Sequence, residues 1–409
     1  MSTARSIVIV GGGPAGVGAA LAARQQDPSA DIVLVTDEQC EPYEKPPLSK
    51  AVLTGKAKPQ DAPIAGPGGV GGHGIVLKPG TRCAAIDRGG HAVVTEAGER
   101  IPYDVLVLAT GSINRVLPMF PAGRPGIHYL RHEGEARALR ERLGRSGSLL
   151  VVGAGLIGLE VAASAAELGI KTTVLEVAPR ILARVCDEET SGLIHACHSA
   201  HGVDIRLGVT IARVRTLPDG RMAVETEAGE MLTADLVVVG AGVAPDDRLA
   251  KAAGLDTQDG ILVDDHCVTS DRMILAAGDC TRFVGPRGPV RLENWRHAQE
   301  QGAVAGRNAA SGDAVYDVTP SFWSEQYDLY IQGMGWPLPQ PSAQVRRQIG
   351  GNALLRFDLD GDRLAYVLGI NAQRDIAVAR RLIERRVAVD SADLADPSKS
   401  LAAMLKAKA

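Results

Sequence analysis

The stretch Ser6–Gln26, SIVIVGGGPAGVGAALAARQQ, decides the fold. A serine and four apolar residues are followed by a G-x-G-x-x-G motif at Gly11, Gly13 and Gly16, and then by a row of small residues. This pattern predicts a buried strand, a tight turn and a closely packed helix. In such a unit the amides at the start of the helix can hold the pyrophosphate of a dinucleotide.

An acidic residue completes this first unit. The apolar run DIVLV at Asp31–Val35 predicts the next strand, and two acids, Asp37 and Glu38, follow it. An acid at the end of this strand can accept a hydrogen bond from a ribose hydroxyl. We expect Asp37 to do so, with Glu38 as the competing candidate.

The same arrangement recurs in the middle of the chain. SLLVV at Ser148–Val152 precedes GAGLIG, with glycines at positions 153, 155 and 158, and Glu176 ends the next predicted strand. One such motif is weak evidence, because any Gly-rich turn imitates it, but two copies in full strand–helix–strand context are strong. An acid at position 176 favours the free 2′-hydroxyl of NADH over the 2′-phosphate of NADPH. Arg180, four residues on, is the nearest base.

The rest of the chain supports an internal duplication. A meander of short strands follows each unit, at His91–Gly111 and at Met222–Gly242, whereas Pro59–Gly80 is predicted to be a loop. From about Pro320 the pattern changes to strands followed by a basic helix, RDIAVARRLIERR. We therefore predict an α/β protein with two Rossmann-like dinucleotide-binding domains and a small α+β C-terminal domain.

Composition narrows the function classes. The chain has 409 residues and a net charge of −4, which predicts two or three domains and no general nucleic-acid binding. No run approaches the length of a membrane span, so we expect no membrane association and a cytoplasmic location. The six cysteines have no metal-ligand spacing and are expected to be free thiols, and no metal site is predicted.

The segment EPYEKPPLSK at Glu41–Lys50 is unusual. Pro46 and Pro47 lie between Lys45 and Lys50, and adjacent prolines disfavour helical geometry at the first of them. The segment is therefore predicted to be an extended, stiff turn.

With these motifs the chain resembles the NADH-dependent ferredoxin reductases of bacterial oxygenase systems. These belong to the FAD-dependent flavoproteins with two dinucleotide-binding domains. Besides the two glycine motifs, the resemblance rests on P-Y-x-[RK]-P-P-L-S-K at Pro42–Lys50, A-T-G at Ala109–Gly111, Y-L-R at Tyr129–Arg131, A-x-G-D-C at Ala276–Cys280 and F-W-S-[DE]-Q at Phe322–Gln326.

The resemblance implies two cofactors, FAD and NADH. It assigns FAD contacts to Gly11, Gly13, Ala15, Gly16, Asp37, Lys45, Lys50, Cys83, Ala109, Thr110, Gly111, Arg131, Asp279 and Trp295. It assigns NADH contacts to Gly153, Gly155, Leu156, Ile157, Gly158, Glu160, Glu176 and Gly242. It also implies an FAD-binding domain at 1–113 and 239–320, an NADH-binding domain at 114–238 and a C-terminal domain at 321–409.

The implied reaction is electron transfer from NADH through FAD to a [2Fe-2S] ferredoxin that supplies a haem monooxygenase or a Rieske oxygenase. Lys50, paired with Glu160, and Trp323 are the expected catalytic residues. The bland alternatives are a surface lysine, a solvated helical glutamate and a core tryptophan.

The partner is expected to be an acidic ferredoxin that docks on a basic surface near the flavin, with the reductase a monomer or weak dimer. Two groups of arginines are the candidates for that surface: Arg282, Arg287, Arg291, Arg296 and Arg307, and Arg374, Arg380, Arg381, Arg385 and Arg386.

Two other functions stay open: a single-cysteine NADH oxidase or peroxidase that uses Cys40, and a redox signalling flavoprotein similar to apoptosis-inducing factor. The chain also departs from the family pattern at Lys45, where Arg is frequent, at Asn114, where Pro is frequent, and at His297, where Asn is usual.

Overall fold

A computed structural model describes residues 4–406, which fall into two compact units. Unit 1 comprises the chain up to Val116, Leu130–Arg140 and Gly242–Val318. Unit 2 comprises Leu117–Tyr129, Glu141–Ala241 and the chain from Thr319.

The strands, in chain order, are β1 (Ser6–Val10), β2 (Asp31–Val35), β3 (Val76–Lys78), β4 (Cys83–Asp87), β5 (Ala92–Thr95), β6 (Arg100–Pro102), β7 (Val105–Leu108), β8 (Ser112–Asn114), β9 (Ile127–His128), β10 (Ser148–Val152), β11 (Lys171–Leu175), β12 (Asp204–Arg206), β13 (Ile211–Thr216), β14 (Met222–Thr226), β15 (Met231–Ala234), β16 (Leu236–Val239), β17 (Val243–Pro245), β18 (Ile261–Leu262), β19 (Ile274–Ala276), β20 (Thr281–Gly285), β21 (Gly288–Val290), β22 (Ser321–Gln326), β23 (Leu329–Gly335), β24 (Ala343–Gly350), β25 (Ala353–Asp360) and β26 (Arg363–Ile370).

The helices are α1 (Pro14–Gln26), α2 (Glu133–Leu143), α3 (Leu156–Glu167), α4 (Glu188–Ala200), α5 (Arg248–Ala252), α6 (Trp295–Ala309), α7 (Gln373–Glu384), α8 (Ser391–Ala395) and α9 (Leu401–Lys406). Short 3₁₀ helices lie at Pro46–Ser49, Pro59–Asp61 and Gly71–His73. None of the helices in the described part of the chain has both the length and the apolar character needed to cross a bilayer.

Unit 1 is built on a parallel sheet with strand order β19-β7-β1-β2-β3. The apolar strands β1 and β7 are buried, which a sheet covered on both faces requires. Because parallel strands end at the same edge, the turns after β1, β2, β7 and β19 lie together, and α1 begins at this edge.

The small residues after the first glycine motif allow two helices to pack closely. A Cβ at Gly302 of α6 would lie 2.1 Å from the carbonyl oxygen of Ala15 in α1, and one at Gly306 would lie 2.0 Å from that of Ala19. The backbones of α1 and α6 are therefore in direct contact, and only glycine fits at these two positions of α6.

Unit 2 repeats this architecture. Its parallel sheet has strand order β12-β11-β10-β16-β9, and α3 begins after β10 as α1 begins after β1. An antiparallel meander belongs to each repeat, β4-β5-β6 in the first and β13-β14-β15 in the second. The predicted duplication is confirmed in the arrangement of the strands.

The C-terminal part of unit 2 is an antiparallel sheet, β22-β23-β26-β25-β24, with helices packed against it. Its core includes Leu355, Phe357 and Val367 from the sheet and Ile376 and Leu382 from α7. The predicted α+β region and its basic helix are confirmed. At the C-terminal end, α9 covers Leu401–Lys406, and residues 407–409 lie outside the described part.

Two local predictions were wrong. The predicted loop Pro59–Gly80 contains β3, whose three residues are too few to give an alternating pattern, and which pairs with β2. Residues Pro46–Ser49 form a 3₁₀ helix, not an extended turn. The two prolines take the first two helical positions, where their missing N–H groups cost no hydrogen bond.

Candidate cofactor sites

The first glycine loop contains glycines that the fold itself requires. Gly11 has a φ of +121°, and a Cβ there would lie 2.0 Å from the carbonyl oxygen of Ala109. A Cβ at Gly16 would lie 1.8 Å from the carbonyl oxygen of Gly11. Side chains are excluded at both positions because the strand, turn and helix approach each other too closely.

The middle glycine of each loop has a different explanation. A Cβ at Gly13 or at Gly155 would meet no atom within 4 Å. Their φ values, −84° and −79°, are open to any residue. The protein has no need of glycine at either position, so we infer that the free space admits a ligand close to the backbone.

Both loops also leave the start of a helix open to an anion. Neither α1 nor α3 has a side-chain cap on its first amides, and neither has an acid in its first turn. The uncapped N–H groups and the helix dipole attract phosphate. The residues present therefore fit a pyrophosphate at each loop.

In unit 1 the two candidate acids differ sharply. Glu38 accepts hydrogen bonds from Tyr43 Oη and from Lys45 Nζ at 2.8 Å, and its carboxylate lies 3.3 Å from His132 Nδ1. Burial raises the pKa of Glu38, but the hydrogen bond from His132 and the charge of Lys45 outweigh it and hold the pKa well below its usual range. The carboxylate of Glu38 is therefore occupied by hydrogen bonds within the protein.

Asp37 is the more available acid. Its side chain is 49% exposed, and its ion pair is with the exposed Arg82 at 3.0 Å. This geometry favours Asp37 over Glu38 as the acceptor for a ribose hydroxyl.

Lys45 shows what the departure from arginine does locally. Its Nζ binds Glu38, lies 3.2 Å from His132 Nδ1 and sits 5.4 Å from the centre of the Tyr43 ring. Lysine provides one compact charge here, whereas the planar fork of arginine would bind the carboxylate at two points. Lys50, at the end of the same 3₁₀ helix, is half-buried.

Three of the family motifs converge in unit 1. Arg131 donates to Asp279 at 3.0 Å and to the carbonyl of Ser112 at 3.1 Å, and Ser112 Oγ donates to Asp279 at 3.0 Å. Ser112 directly follows the A-T-G motif, so the strand ends of β7 and β19 meet the Y-L-R segment. Thr110 of that motif donates to the carbonyl of Asp246 at 2.6 Å.

Two other predicted FAD residues, and Gly278 of the A-x-G-D-C motif, also belong to unit 1. Gly278, with φ +85°, leaves no room for a Cβ, which would lie 2.7 Å from Ala15 Cβ. Trp295, half-buried, begins α6. Cys83 is half-buried as well, and burial raises the pKa of its thiol to about 12.

His297, the second departure in this region, is fully buried in α6. Its Nδ1 lies 2.5 Å from Tyr316 Oη, its ring stacks on Phe283, and burial lowers its pKa to about 4. The imidazole is therefore neutral at pH 7. Asn114, the third departure, donates to Glu135 at 3.2 Å.

In unit 2 the acid is tied to the glycine loop. Glu176 accepts from the backbone N–H of Ala154 at 2.6 Å and from that of Ala178 at 2.8 Å. Arg180 donates to the carbonyls of Ala183 and Cys186. Its guanidinium is thus occupied by the backbone, which argues against a binding site for a 2′-phosphate.

The remaining predicted NADH residues are spread more widely. Leu156 and the exposed Ile157 open α3 beside the loop, and Gly158, like Gly16, is required by the fold. Gly242 belongs to unit 1.

Of the three predicted catalytic residues, Glu160 is the best defined. Its side chain is buried on α3 and accepts from Ser324 Oγ at 2.6 Å, so the alternative of a solvated glutamate is wrong. Trp323 is half-buried on β22. Lys50 and Glu160 belong to different units, and their pairing stays a prediction.

Sequence reasoning missed two groups of residues. One is the contact of His132 with Glu38 and Lys45, although His132 directly follows Y-L-R. The other is a buried polar chain of Ser324, Gln326 and His198, although S-x-Q in the F-W-S-E-Q motif has the period of one strand face.

Comparison with known proteins identifies the family. Residues 5–302 match the model of the pyridine nucleotide-disulphide oxidoreductases, and residues 321–405 match the model of the reductase C-terminal domain. The chain belongs to the pyridine nucleotide-disulphide oxidoreductase family. It is therefore an oxidoreductase, and the predicted fold class is confirmed.

Individual relatives are similar over nearly their whole length. Rhodocoxin reductase of Rhodococcus erythropolis is 38% identical over 96% of this chain and 92% of its own. The ferredoxin–NAD(+) reductase component of the anthranilate 1,2-dioxygenase system of Burkholderia cepacia is 39% identical over 98% of this chain and 100% of its own. The crystal structure of a covalent putidaredoxin reductase–putidaredoxin complex matches with a TM-score of 0.92 and 34% identity over 99% of both chains.

These matches confirm the resemblance to ferredoxin reductases and the two cofactors of the family, FAD and NADH. The contacts assigned to individual residues stay predictions.

Proposed function

We propose that the protein is an FAD-dependent NADH:ferredoxin reductase that supplies electrons to an oxygenase. The observation that carries this proposal is the pair of glycine loops, each with one glycine that the protein does not need and an uncapped helix start. Two such loops fit two dinucleotides, one that accepts electrons and one that delivers them.

The names of the relatives support the second step, the transfer of electrons to a ferredoxin. They include a ferredoxin–NAD(+) reductase component of a dioxygenase system and a reductase bound to putidaredoxin. For this chain the electron acceptor would be a [2Fe-2S] ferredoxin, which in turn serves a haem monooxygenase or a Rieske oxygenase.

When bound, FAD supplies the chemistry that links a two-electron hydride donor to a one-electron acceptor. The residues of this chain bind and orient. The amides at Gly13 would hold the FAD pyrophosphate, and Asp37 would bind the ribose. The Arg131–Asp279 pair would hold the neighbouring strand ends in place. The amides at Gly155 and the carboxylate of Glu176 would hold NADH.

Lys50, Glu160 and Trp323 complete the proposed machinery. Lys50 would place a positive charge at the flavin, and Glu160 would provide the negative charge that pairs with Lys50. Trp323 would exclude water. The proposed domains are 1–113 with 239–320 for FAD, 114–238 for NADH and 321–409 for the C-terminal region. A cytoplasmic location and a monomeric or weakly dimeric state belong to the same proposal.

The thiol of Cys40 does not favour the oxidase or peroxidase alternative. Burial and the charge of Glu38 raise the pKa of Cys40, so the reactive thiolate is disfavoured at neutral pH. The other described cysteines are free thiols too.

Anaerobic reduction tests the function directly. We expect NADH to bleach the flavin absorbance within one turnover time and [2Fe-2S] ferredoxins to restore it, with one ferredoxin reduced per electron. A failure of every ferredoxin tried to reoxidise the flavin would contradict the proposal. A long-lived complex between the reduced flavin and NAD⁺, with poor transfer to any acceptor, would instead favour the signalling alternative.

The docking surface is a finer part of the proposal. In unit 1, Arg291 is paired with Asp259 and Glu293, and Arg296 with Glu300, so much of that charge is neutralised. At α7 of unit 2 the situation differs. Arg374 and Arg381 of the helix and Arg385 directly after it are exposed on one face, and no ion pair joins them to a carboxylate in residues 4–406. We therefore propose that an acidic ferredoxin docks on this α7 face.

Charge reversal tests that assignment. The triple variant R374E/R381E/R385E should raise the KM for ferredoxin about 10-fold at low ionic strength, and less at high salt, because exposed charges are screened. Flavin reduction by NADH should not change. R213E/R215E/R221E, on exposed residues of β13 and the following turn, makes the same change in net charge and should leave the KM within about twofold. Equal effects of the two triples would contradict docking on α7.

A further inference from the structure

The F-W-S-E-Q segment of β22 has two faces with different character. Ser324 and Gln326 are buried on one face, and Trp323 and Glu325 alternate with them on the other. Two polar side chains with virtually no exposure need hydrogen-bond partners, because burying them unpaired costs free energy.

Their partners lie within unit 2. Ser324 Oγ donates to Glu160 Oε1 at 2.6 Å, and Gln326 Nε2 donates to Ser324 Oγ at 3.0 Å. Because the amide nitrogen of Gln326 faces Ser324, its oxygen faces the other way and accepts.

That oxygen accepts from a buried histidine. His198 on α4 has no exposed surface, and its Nε2 lies 2.8 Å from Gln326 Oε1. Nε2 must therefore carry the proton, which leaves Nδ1 as an acceptor facing Tyr327 Oη at 3.4 Å. Burial lowers the pKa of His198 despite the hydrogen bond to Gln326, so the neutral tautomer fits the site.

The side chains form a hydrogen-bonded chain in which each donor points toward the carboxylate of Glu160. The order is Tyr327, His198, Gln326, Ser324 and Glu160, and every member donates to the next. Aligned hydrogen bonds polarise one another. The hydrogen-bonded chain therefore fixes the orientation of the Glu160 carboxylate.

We propose that Ser324, Gln326 and His198 are positioning residues that hold the Glu160 carboxylate in one orientation for the reaction of NADH. This inference rests on the proposed function, which gives Glu160 its role. It assigns a purpose to the serine and glutamine of the F-W-S-E-Q segment that is separate from that of Trp323. His195 and His201 of α4 act electrostatically on His198, and the ring of His201 stacks on that of Tyr327.

The sharpest test is Ser324→Ala, which removes the donor next to the carboxylate. The carboxylate stretching band of Glu160 in the infrared spectrum, assigned by difference from Glu160→Gln, should shift because the carboxylate loses this hydrogen bond. The rate constant for anaerobic flavin reduction at saturating NADH should fall about 10-fold, and the half-saturating NADH concentration should stay within about twofold of the wild type, because a displaced group costs rate rather than binding.

Ser321→Ala is the matched control. Ser321 is a buried serine on the same strand, on the Trp323 face, and its loss should leave the Glu160 infrared band and the rate of flavin reduction unchanged. A merely structural role of Ser324 would lower stability in both variants without shifting the Glu160 band.

His198, farther from Glu160 in the hydrogen-bonded chain, provides a second, independent pair of variants. His198→Gln keeps an amide donor near the position of Nε2, whereas His198→Leu removes it. The Glu160 infrared band should stay at its wild-type position in the first variant and shift in the second, by less than in Ser324→Ala. This pair keeps the proposal testable if Ser324→Ala does not fold.

The outcomes separate this inference from the proposed function. An unshifted Glu160 band in both Ser324→Ala and His198→Leu would overturn the inference, even if the wild type reduces ferredoxin. A wild type that reduces no ferredoxin would instead overturn the proposed function, while the infrared band would still report on the hydrogen-bonded chain.

Discussion

The two glycine loops of this protein are alike in backbone and different in the acid that follows. In each, the first and third glycines are forced by close backbone contacts, and the middle glycine faces space that the protein leaves free. The loop geometry thus repeats the same backbone arrangement, which fits a phosphate, in both units. It does not determine which dinucleotide binds, so that selectivity must come from residues outside the loop.

The acids show where the repeats diverge. Val10 pairs with Val35 in unit 1, and Val152 pairs with Leu175 in unit 2, so Glu176 corresponds to Thr36 rather than to Asp37. Glu176 is held by two amides, one of them in the loop itself, whereas Asp37 lies two residues past β2 and is half exposed. The two acids therefore occupy different positions relative to the strands that they follow.

The largest effect is expected at a glycine that the fold requires. Gly11→Ala would force a side chain to within 2.0 Å of a carbonyl oxygen at a φ of +121°. We expect a loss of stability of about 3 kcal/mol or more, measured as a fall in soluble yield and in the melting temperature. Gly13→Ala is the control and should melt as the wild type does in the absence of cofactor. Equal stability of the two variants would contradict the distinction between glycines that the fold requires and glycines that only a ligand requires.

Loss of the Lys45 charge should have the next largest effect. Lys45→Met leaves the half-buried carboxylate of Glu38 without this cation, which should cost about 1–3 kcal/mol. Release of FAD on heating, followed by fluorescence, should occur at lower temperature. Lys45→Arg keeps the charge and is the matched control; if it is as unstable as Lys45→Met, shape rather than charge determines this site.

The two acids should respond separately. Glu176→Ala should lower the preference for NADH over NADPH, as the ratio of the two kcat/KM values, by about 10-fold, because the acid that disfavours a 2′-phosphate is gone. Asp37→Asn should weaken FAD binding and leave the coenzyme preference unchanged. A change in coenzyme preference in Asp37→Asn would remove the functional difference between the two repeats.

The smallest effect is expected at Cys40. Cys40→Ser should leave ferredoxin-dependent turnover within about twofold of the wild type, since burial disfavours its thiolate. Loss of turnover would revive the single-cysteine oxidase and would mean that unit 1 contributes a redox thiol with no counterpart in unit 2.

Local patterns in the sequence were sufficient to predict the repeats. The motifs around Gly11 and Gly153, the apolar strands and the basic helix all depend on residues close to one another in the chain. Geometry at prolines was harder, since Pro46–Ser49 fits both an extended turn and the 3₁₀ helix that forms.

Side-chain networks could not be predicted, because their members are far apart in sequence. Glu38 and His132 are separated by 94 residues, and His198 and Gln326 by 128. Without the fold, nothing in the sequence brings such residues together. The same reason explains why Glu160 alone could not be distinguished from a solvated helical residue.

Cofactor affinity in two alanine variants is the most direct test of the central claim, that one loop binds FAD and the other NADH. Calorimetric titration should show Gly13→Ala binding FAD about 10- to 100-fold more weakly with NAD⁺ affinity retained, and Gly155→Ala losing NAD⁺ affinity with FAD retained, since each new methyl group occupies one ligand's space. Wild-type affinity for both cofactors in both variants, or loss of NAD⁺ binding in Gly13→Ala, would contradict it.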